Sequence, residues 1–109
     1  MTRQRSMTYT TAAVLLAIHQ GHQFGFDIMD VTGLPDGTVY PALRRLESRG
    51  QLAAEWEDAE VAHAEGRPAR RYYGLTQAGT VALRDSLGRF PVLVRLFPGA
   101  DQDPELVTA

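Results

Sequence analysis

The chain has no cysteine, no lysine and no long apolar run. Without cysteine there is no disulfide framework and no thiolate chemistry, which suits a cytoplasmic protein. The longest apolar stretch, Ala12 to Ile18, has the length of a core helix and falls well short of the roughly 18–20 residues a membrane span needs. Arg3 and Arg5 precede no apolar region of secretory type. His19, His22 and His63 are scattered, with no carboxylate at metal-ligand spacing, so no metal site is expected. Ser6, Ser48 and Ser86 lack the surroundings of a nucleophile, and no glycine-rich phosphate loop is present. The expectation is therefore a non-enzyme with no catalytic residue and no cofactor.

What the chain does have is arginine in the right places. The net charge is −2, and all eleven cations are arginine, the better residue for forked contacts to phosphate and guanine. A net negative charge counts mildly against nucleic acid, but distribution matters more than the sum. Residues 66–73 carry three arginines and no acid, and residues 36–50 carry three against Asp36 and Glu47. The acids collect at Glu55, Glu57, Asp58, Glu60 and Glu65, and at Asp101, Asp103 and Glu105. Two locally basic elements thus sit on a mildly acidic body. The competing reading of each cluster is an ordinary solvated surface.

At 109 residues the chain is one domain with a single core. A first helix starts near Thr8–Thr11, where a hydroxyl can cap it, and runs to Gln20 with an apolar stripe of Val14, Leu15 and Ile18. A short second helix covers Phe24–Val31, with Phe24, Ile28 and Val31 inward. Thr32-Gly33-Leu34-Pro35 is a turn with Gly33 suited to a left-handed backbone. A third helix begins with Asp36 as cap or Pro35 as first helical residue, and Gly50 ends it. Val39, Leu43 and Leu46 share its inner face. Gly37, Pro41, Arg44 and Ser48 lie opposite, with Thr38, Tyr40 and Arg45 on the flanks. Pro41 is expected to kink or loosen the helix start.

Leu52–Glu57 alternates as a half-buried strand with Leu52, Ala54 and Trp56 on one side. Asp58–Pro68 reads as a mobile acidic loop and Arg70–Leu75 as a second strand. Thr76 caps a last helix, from Gln77 to about Arg89. Leu83, Leu87, Phe90, Val94 and Phe97 are spaced 4, 3, 4 and 3, the pattern of a helix–helix seam that Pro91 interrupts with a kink or splits into two short helices. The fold class is mainly α with a small β-hairpin. Helix, strand, charged loop and Arg-Tyr strand follow the order of a winged helix-turn-helix.

Three segments together resemble the PadR family of bacterial transcriptional regulators: Phe24-Gly25-Phe26-Asp27-Ile28, Gly37-Thr38-Val39-Tyr40-Pro41-Ala42-Leu43-Arg44-Arg45-Leu46-Glu47, and residues 66–79 from Gly66-Arg67-Pro68 to Gln77-Ala78-Gly79. The resemblance covers roughly residues 10–85. It implies a winged helix that binds double-stranded operator DNA as a homodimer, usually as a repressor, with a C-terminal helical region that makes the dimer and can bind a small-molecule effector. The expected layout is a mobile arm at 1–8, a DNA-binding domain at 9–76, a dimerisation helix at 77–97 kinked near Pro91, and a disordered tail at 98–109. The C-terminal region is as short as in the smaller members. It lacks the tryptophan that some drug-sensing relatives use to stack planar ligands; the only tryptophan is Trp56.

On this reading Gly37, Thr38, Tyr40, Pro41, Arg44 and Arg45 form the groove-facing surface. Thr38 and Tyr40 would hold phosphates, Arg44 or Arg45 would fork onto a guanine edge, and Gly37 and Pro41 would permit close approach. The competing roles are core-edge packing for Tyr40 and an Arg44 contact with Glu47 or Ser48. Arg67, Arg70 and Arg71 are the wing candidates, and strand alternation lets only one of Arg70 and Arg71 face DNA squarely. Arg3 and Arg5 would act as an arm or lie in a disordered end. Leu83, Leu87, Phe90, Val94 and Phe97 would make the dimer. Two other readings stay open: a winged helix used for protein–protein contact through its acidic segments, and a sensor with an effector pocket between the last helices.

Overall fold

The structure, a computed structural model, describes residues 7–97 and 99–106. Five helices and one hairpin follow in the order α1 Tyr9–His19, α2 Gly25–Thr32, α3 Asp36–Ser48, β1 Leu52–Trp56, α4 Ala59–Ala64, β2 Arg71–Leu75 and α5 Gln77–Arg89. Two 3-10 turns, Pro91–Leu96 and Ala100–Gln102, complete the described chain. No helix among the described residues is long and apolar enough to cross a membrane.

α1 is the centre of the molecule. Thr8 caps it, its Oγ1 accepting from the Thr11 amide at 3.2 Å. A one-sided stripe was expected, yet every residue from Thr11 to Ile18 is buried. The reason is that α2, α3, α5 and β2 all pack on it, and Ala12, Ala13 and Ala17 let them come close. α2 ends at Gly33, whose φ of 72° is left-handed. Its Ile28 is buried as expected, whereas Val31 is 38% exposed.

In α3 Pro35 occupies the cap position and Asp36 is the first helical residue, so neither expected start holds. Asp36 instead accepts from the Gly37 amide at 2.8 Å, and the Pro35 carbonyl accepts from Thr38 and Val39. Pro41 does not interrupt the helix, which runs through to Ser48. The only bond its ring removes is the one to the Gly37 carbonyl, and Gly37 is exposed. Val39, Ala42, Leu43 and Leu46 are buried, each large side chain contributing about 1.5–3 kcal/mol.

The strands pair antiparallel, with Leu52 opposite Leu75, Ala54 opposite Tyr73 and Trp56 opposite Arg71. The α1–α2 connection lies beside β2, where the Tyr73 amide donates to the Gln23 carbonyl at 2.8 Å. Trp56, expected inside with Leu52 and Ala54, is 63% exposed because the strand runs past the end of the core. The segment expected as a loop contains α4. Asp58 caps it through the Glu60 amide at 2.8 Å, and Ala62 is buried beneath it.

α5 is capped by Thr76, whose Oγ1 accepts from the Gly79 amide at 3.1 Å. α5 stops at Arg89 as expected, and at Pro91 the chain breaks rather than kinks, opening a 3-10 turn over Pro91–Leu96. This turn folds the chain back. Leu83, Leu87, Leu93 and Phe97 are buried in the same core as α1. Phe90 and Val94 pack against it while staying partly open. The tail is also packed: Ala100 and Leu106 are buried, and His19 Nε2 meets Asp103 Oδ2 at 2.7 Å. Two hydrogen bonds lower the Asp103 pKa, first from the Glu105 backbone and then from His19. Residues 1–6, with Arg3 and Arg5, lie outside the described residues. Met7 of the expected arm is tied to α5, its carbonyl accepting from Arg89 Nη1 at 3.2 Å.

Candidate nucleic-acid interface

The outer side of α3 and the adjoining hairpin form one surface. Gly37 has open space where a Cβ would stand, and Thr38 and Pro41 are half-buried beside it. Arg44 is exposed and makes no hydrogen bond or ion pair among the described residues. The competing contact with Glu47 or Ser48 does not form, because Glu47 turns to the hairpin and accepts from Arg71 Nη2 at 2.7 Å. Arg45 is exposed and partly tied to α1, donating from Nη2 to Thr11 Oγ1 at 3.3 Å. Arg49, also exposed and free of ion pairs among the described residues, extends this basic line by one more position. The sequence reading passed over it because it lies beyond the last core residue of the helix.

Tyr40 is both packed and open. It is 42% exposed, and its ring lies against α2 so closely that a Cβ at residue 25 would come within 2.5 Å of its hydroxyl oxygen. Gly25 is what lets the two helices meet there. The phenol is thus held at the α2–α3 junction with one side open.

The three wing arginines differ from one another. Arg67 is not a free cation. Its Nη1 and Nη2 donate to the two carboxylate oxygens of Glu57 at 2.6 and 2.8 Å, and its Nε and Nη2 donate to Glu65 at 3.1 and 3.0 Å. The forked bond from Arg67 lowers the Glu57 pKa to about 2, helped by the Arg70 amide, and raises the Arg67 pKa in turn. The acidic segment therefore closes the wing through the very arginine that was expected to reach DNA. Arg70 has no ion pair among the described residues, and its guanidinium lies 4.1 Å above the Phe24 ring. Arg71 pairs with Glu47, lies 5.6 Å from the Trp56 ring centre, and keeps a buried Nε without an acceptor among the described residues.

Between α2, α3 and the hairpin these side chains enclose a groove of about 500 Å³. Phe24, Tyr40, Trp56 and Tyr73 supply its apolar walls, and burial raises the Tyr73 pKa. Phe26, 73% exposed, stands at its edge. Alternation and periodicity could not find this groove: they leave Phe26 outside the α2 stripe and put Trp56 inside with Leu52 and Ala54, whereas both rings stand exposed at its edge. One open reading put an effector pocket between the last helices. A cleft between α1, α2 and the C-terminal turn, lined by Leu96 and Phe97, holds about 160 Å³, below the usual range of ligand sites, ~300–1,000 Å³.

Comparison with curated proteins returns no match. Among solved structures, the chain is similar to a PadR family transcriptional regulator from Eggerthella lenta, with 31% identity and a TM-score of 0.54 over 75% of this chain and 74% of that one. It is similar to a PadR-like transcription factor from Bacteroides fragilis, with 26% identity and a TM-score of 0.62 over 78% and 82%. A PadR family regulator from Clostridium difficile shares the fold, with 20% identity and a TM-score of 0.64 over 83% of this chain and 98% of that one. Residues 14–85 match the family described as transcriptional regulator PadR-like, a span that runs from α1 through α3 and the hairpin into α5. With that match over more than half its length, the chain belongs to the PadR-like family of transcriptional regulators.

Proposed function

We propose that the protein is a sequence-specific DNA-binding repressor that acts as a homodimer and is released by a small-molecule effector. The observation that carries this reading is the outer face of α3, where Arg44 is exposed and unpaired among the described residues, two turns along from the open backbone of Gly37. An amphipathic helix of 13 residues with that outer face fits a major groove. Thr38 and Tyr40 hold phosphates, Arg44 and Arg45 reach base edges, and Arg70 rather than Arg67 is the wing cation that meets the backbone. Two copies of α3 read half-sites about one helical turn apart. The second copy docks on the C-terminal segment. Of the a/d set, Phe90 and Val94 keep open faces there, joined by the exposed Val92 and Leu96; Leu83, Leu87 and Phe97 support it from the core.

The test is DNA selection from genomic fragments, followed by anisotropy titrations at two salt concentrations. Arg44→Ala should weaken the selected site by 1–3 kcal/mol, roughly 5- to 150-fold, if it reads a base. If it holds a phosphate, affinity should fall alike for all sequences and the salt slope should drop by about 1. Unchanged affinity in both Arg44→Ala and Arg45→Ala refutes the assignment. Affinity independent of salt refutes the phosphate contacts, because counterion release must accompany them, and would favour a protein-contact module.

A further inference from the structure

The hairpin has one covered edge and one open edge. The Glu57 amide donates to the Arg70 carbonyl, and the Thr76 amide to the Gln51 carbonyl. In the observed register these bonds join the odd-numbered residues of β1 to the even-numbered residues of β2. The amides and carbonyls of Arg71, Tyr73 and Leu75 therefore point away from β1, and on that side the Tyr73 amide meets the Gln23 carbonyl. Those of Leu52, Ala54 and Trp56 point away from β2 and have no hydrogen-bond partner among the described residues. An open edge is a template for another strand, and proteins that avoid such pairing guard it with proline, bulges or several charges. β1 has no proline and no bulge, its one charge is Glu55, and it is exposed at Ala53, Glu55 and Trp56.

We infer that β1 pairs antiparallel with β1 of a second copy of this chain, about a two-fold axis at Ala54. The strand's own residues favour this occupant and this register. Centred on Ala54, the pairing sets Leu52 opposite Trp56 in both directions and Ala54 opposite itself, so every outward residue exchanges two hydrogen bonds with a partner. Glu55 then stands opposite Ala53. A centre at Glu55 would put two carboxylates directly opposite each other, which is unfavourable. The ends match as well. Continued outward, the register brings Gly50 of one copy to Asp58 of the other. Arg49, exposed and without an ion pair among the described residues, then faces the acidic start of α4 with its exposed Glu60. The strand is five residues long, so the contact belongs to the small, transient class. It is separate from the C-terminal segment. Two different two-fold contacts on one chain link dimers into a row unless their axes close, and such a row would fill neighbouring DNA sites together. The row rests on the homodimer and DNA-binding readings; the edge pairing rests on neither.

The chain has no cysteine, so single cysteines in the full chain report the pairing by crosslinking under mild oxidation, first without DNA. Ala54→Cys should form a covalent pair fastest, because directly opposite residues of this kind lie about 5.5 Å apart at Cα, within disulfide range. Ala53→Cys, set diagonally from its own copy, should lag. Asp30→Cys, exposed on α2, gives the background rate of collision. Each rate is normalised to that thiol's reactivity with a small soluble disulfide. Crosslinking of Ala54→Cys at the background rate overturns the proposal, whether the edge is bare or taken by another protein's strand, and a faster Ala53→Cys overturns the register. Sedimentation of the cysteine-free chain over a concentration series is an independent arm. Ala53→Glu should weaken self-association and Ala53→Arg should strengthen it, each by about 2- to 30-fold for two symmetric contacts with Glu55. A damaged hairpin cannot shift the constant in opposite directions, and equal constants for the two variants overturn the pairing. With DNA carrying the selected site once or twice in tandem, Ala53→Glu should lose cooperative filling of the second site. If the crosslink forms and the unaltered protein fills tandem sites independently, the pairing stands and the row is refuted.

Discussion

Two alanines placed in the same helix should shift stability in opposite directions. Gly79 lies in the first turn of α5 and Gly88 in its last. Both are helical glycines, so replacement by alanine removes an entropic cost of about 0.5–1 kcal/mol at each. At Gly88 nothing among the described residues stands within 4 Å of the new methyl. Gly88→Ala should therefore raise the melting temperature by roughly 2–8 °C, at about 4–8 °C per kcal/mol for a domain of this size. At Gly79 the methyl would overlap the carbonyl oxygen of Gln51 and stand 3.1 Å from its carbon. That carbonyl is backbone, and it also accepts from the Thr76 amide at 3.2 Å. Thr76 Oγ1 holds the neighbouring Gly50 carbonyl at 2.6 Å, so the turn has little room to yield. Overpacking of this kind typically costs about 1–3 kcal/mol or more. Because the clash is with backbone, the upper part of that range applies, about 2–3 kcal/mol; less the propensity gain, Gly79→Ala should lose about 1–2.5 kcal/mol and melt roughly 4–20 °C lower. Thermal denaturation followed by circular dichroism reads both variants. A Gly79→Ala protein that melts at or above the parent would falsify the close packing of α5 on the α3–β1 turn.

Arg67→Ala should leave Glu57 without its forked partner and speed amide exchange over residues 57–70, while weakening DNA less than Arg44→Ala does; an unchanged exchange pattern would show that the Glu57 and Glu65 contacts do not hold the wing. The same pair sets a pH response. The Glu57 pKa is lowered from 4.5 to about 2, so its contribution is complete above 4.5 and is lost as the pH falls toward 2. Trp56 emission should shift within that window, and a shift centred above it would contradict the assignment. Asp103→Asn weakens the contact to His19 that holds the tail; a loss of about 1 kcal/mol and new protease cleavage near Leu106 are expected, and a tail that resists cleavage as before would point to Leu106 burial as the sufficient anchor.

The helices around the HTH were legible because their signals are local: caps at Thr8 and Thr76, a left-handed glycine at Gly33, and Val39, Leu43 and Leu46 on one face of α3. The Arg-Tyr strand was legible for the same reason. What the sequence could not show depends on distant partners. Trp56 alternates correctly but lies beyond the edge of the core. The a/d spacing of Leu83, Leu87 and Phe97 promises an apolar partner without saying which, and here α1 of the same chain fills the role. Arg67 and Arg70 look alike in sequence; only the positions of Glu57, Glu65 and Phe24 separate a neutralised guanidinium from an available one. α4 was hidden by its acidic, small-residue composition, although Asp58 is an ordinary cap.

The full burial of α1 makes it the hub through which α2, α3, α5 and β2 touch. None of these elements can come away without wetting α1, so they should open together as one cooperative unit. The amides of Val14 to Ile18 should then exchange only when the whole domain unfolds, and their exchange rate reports its global free energy. The hairpin tip, held by carboxylate–arginine bonds rather than by α1, is a separate unit that can loosen while the hub stays shut. The hairpin tip can thus change shape without loosening the frame that holds α3.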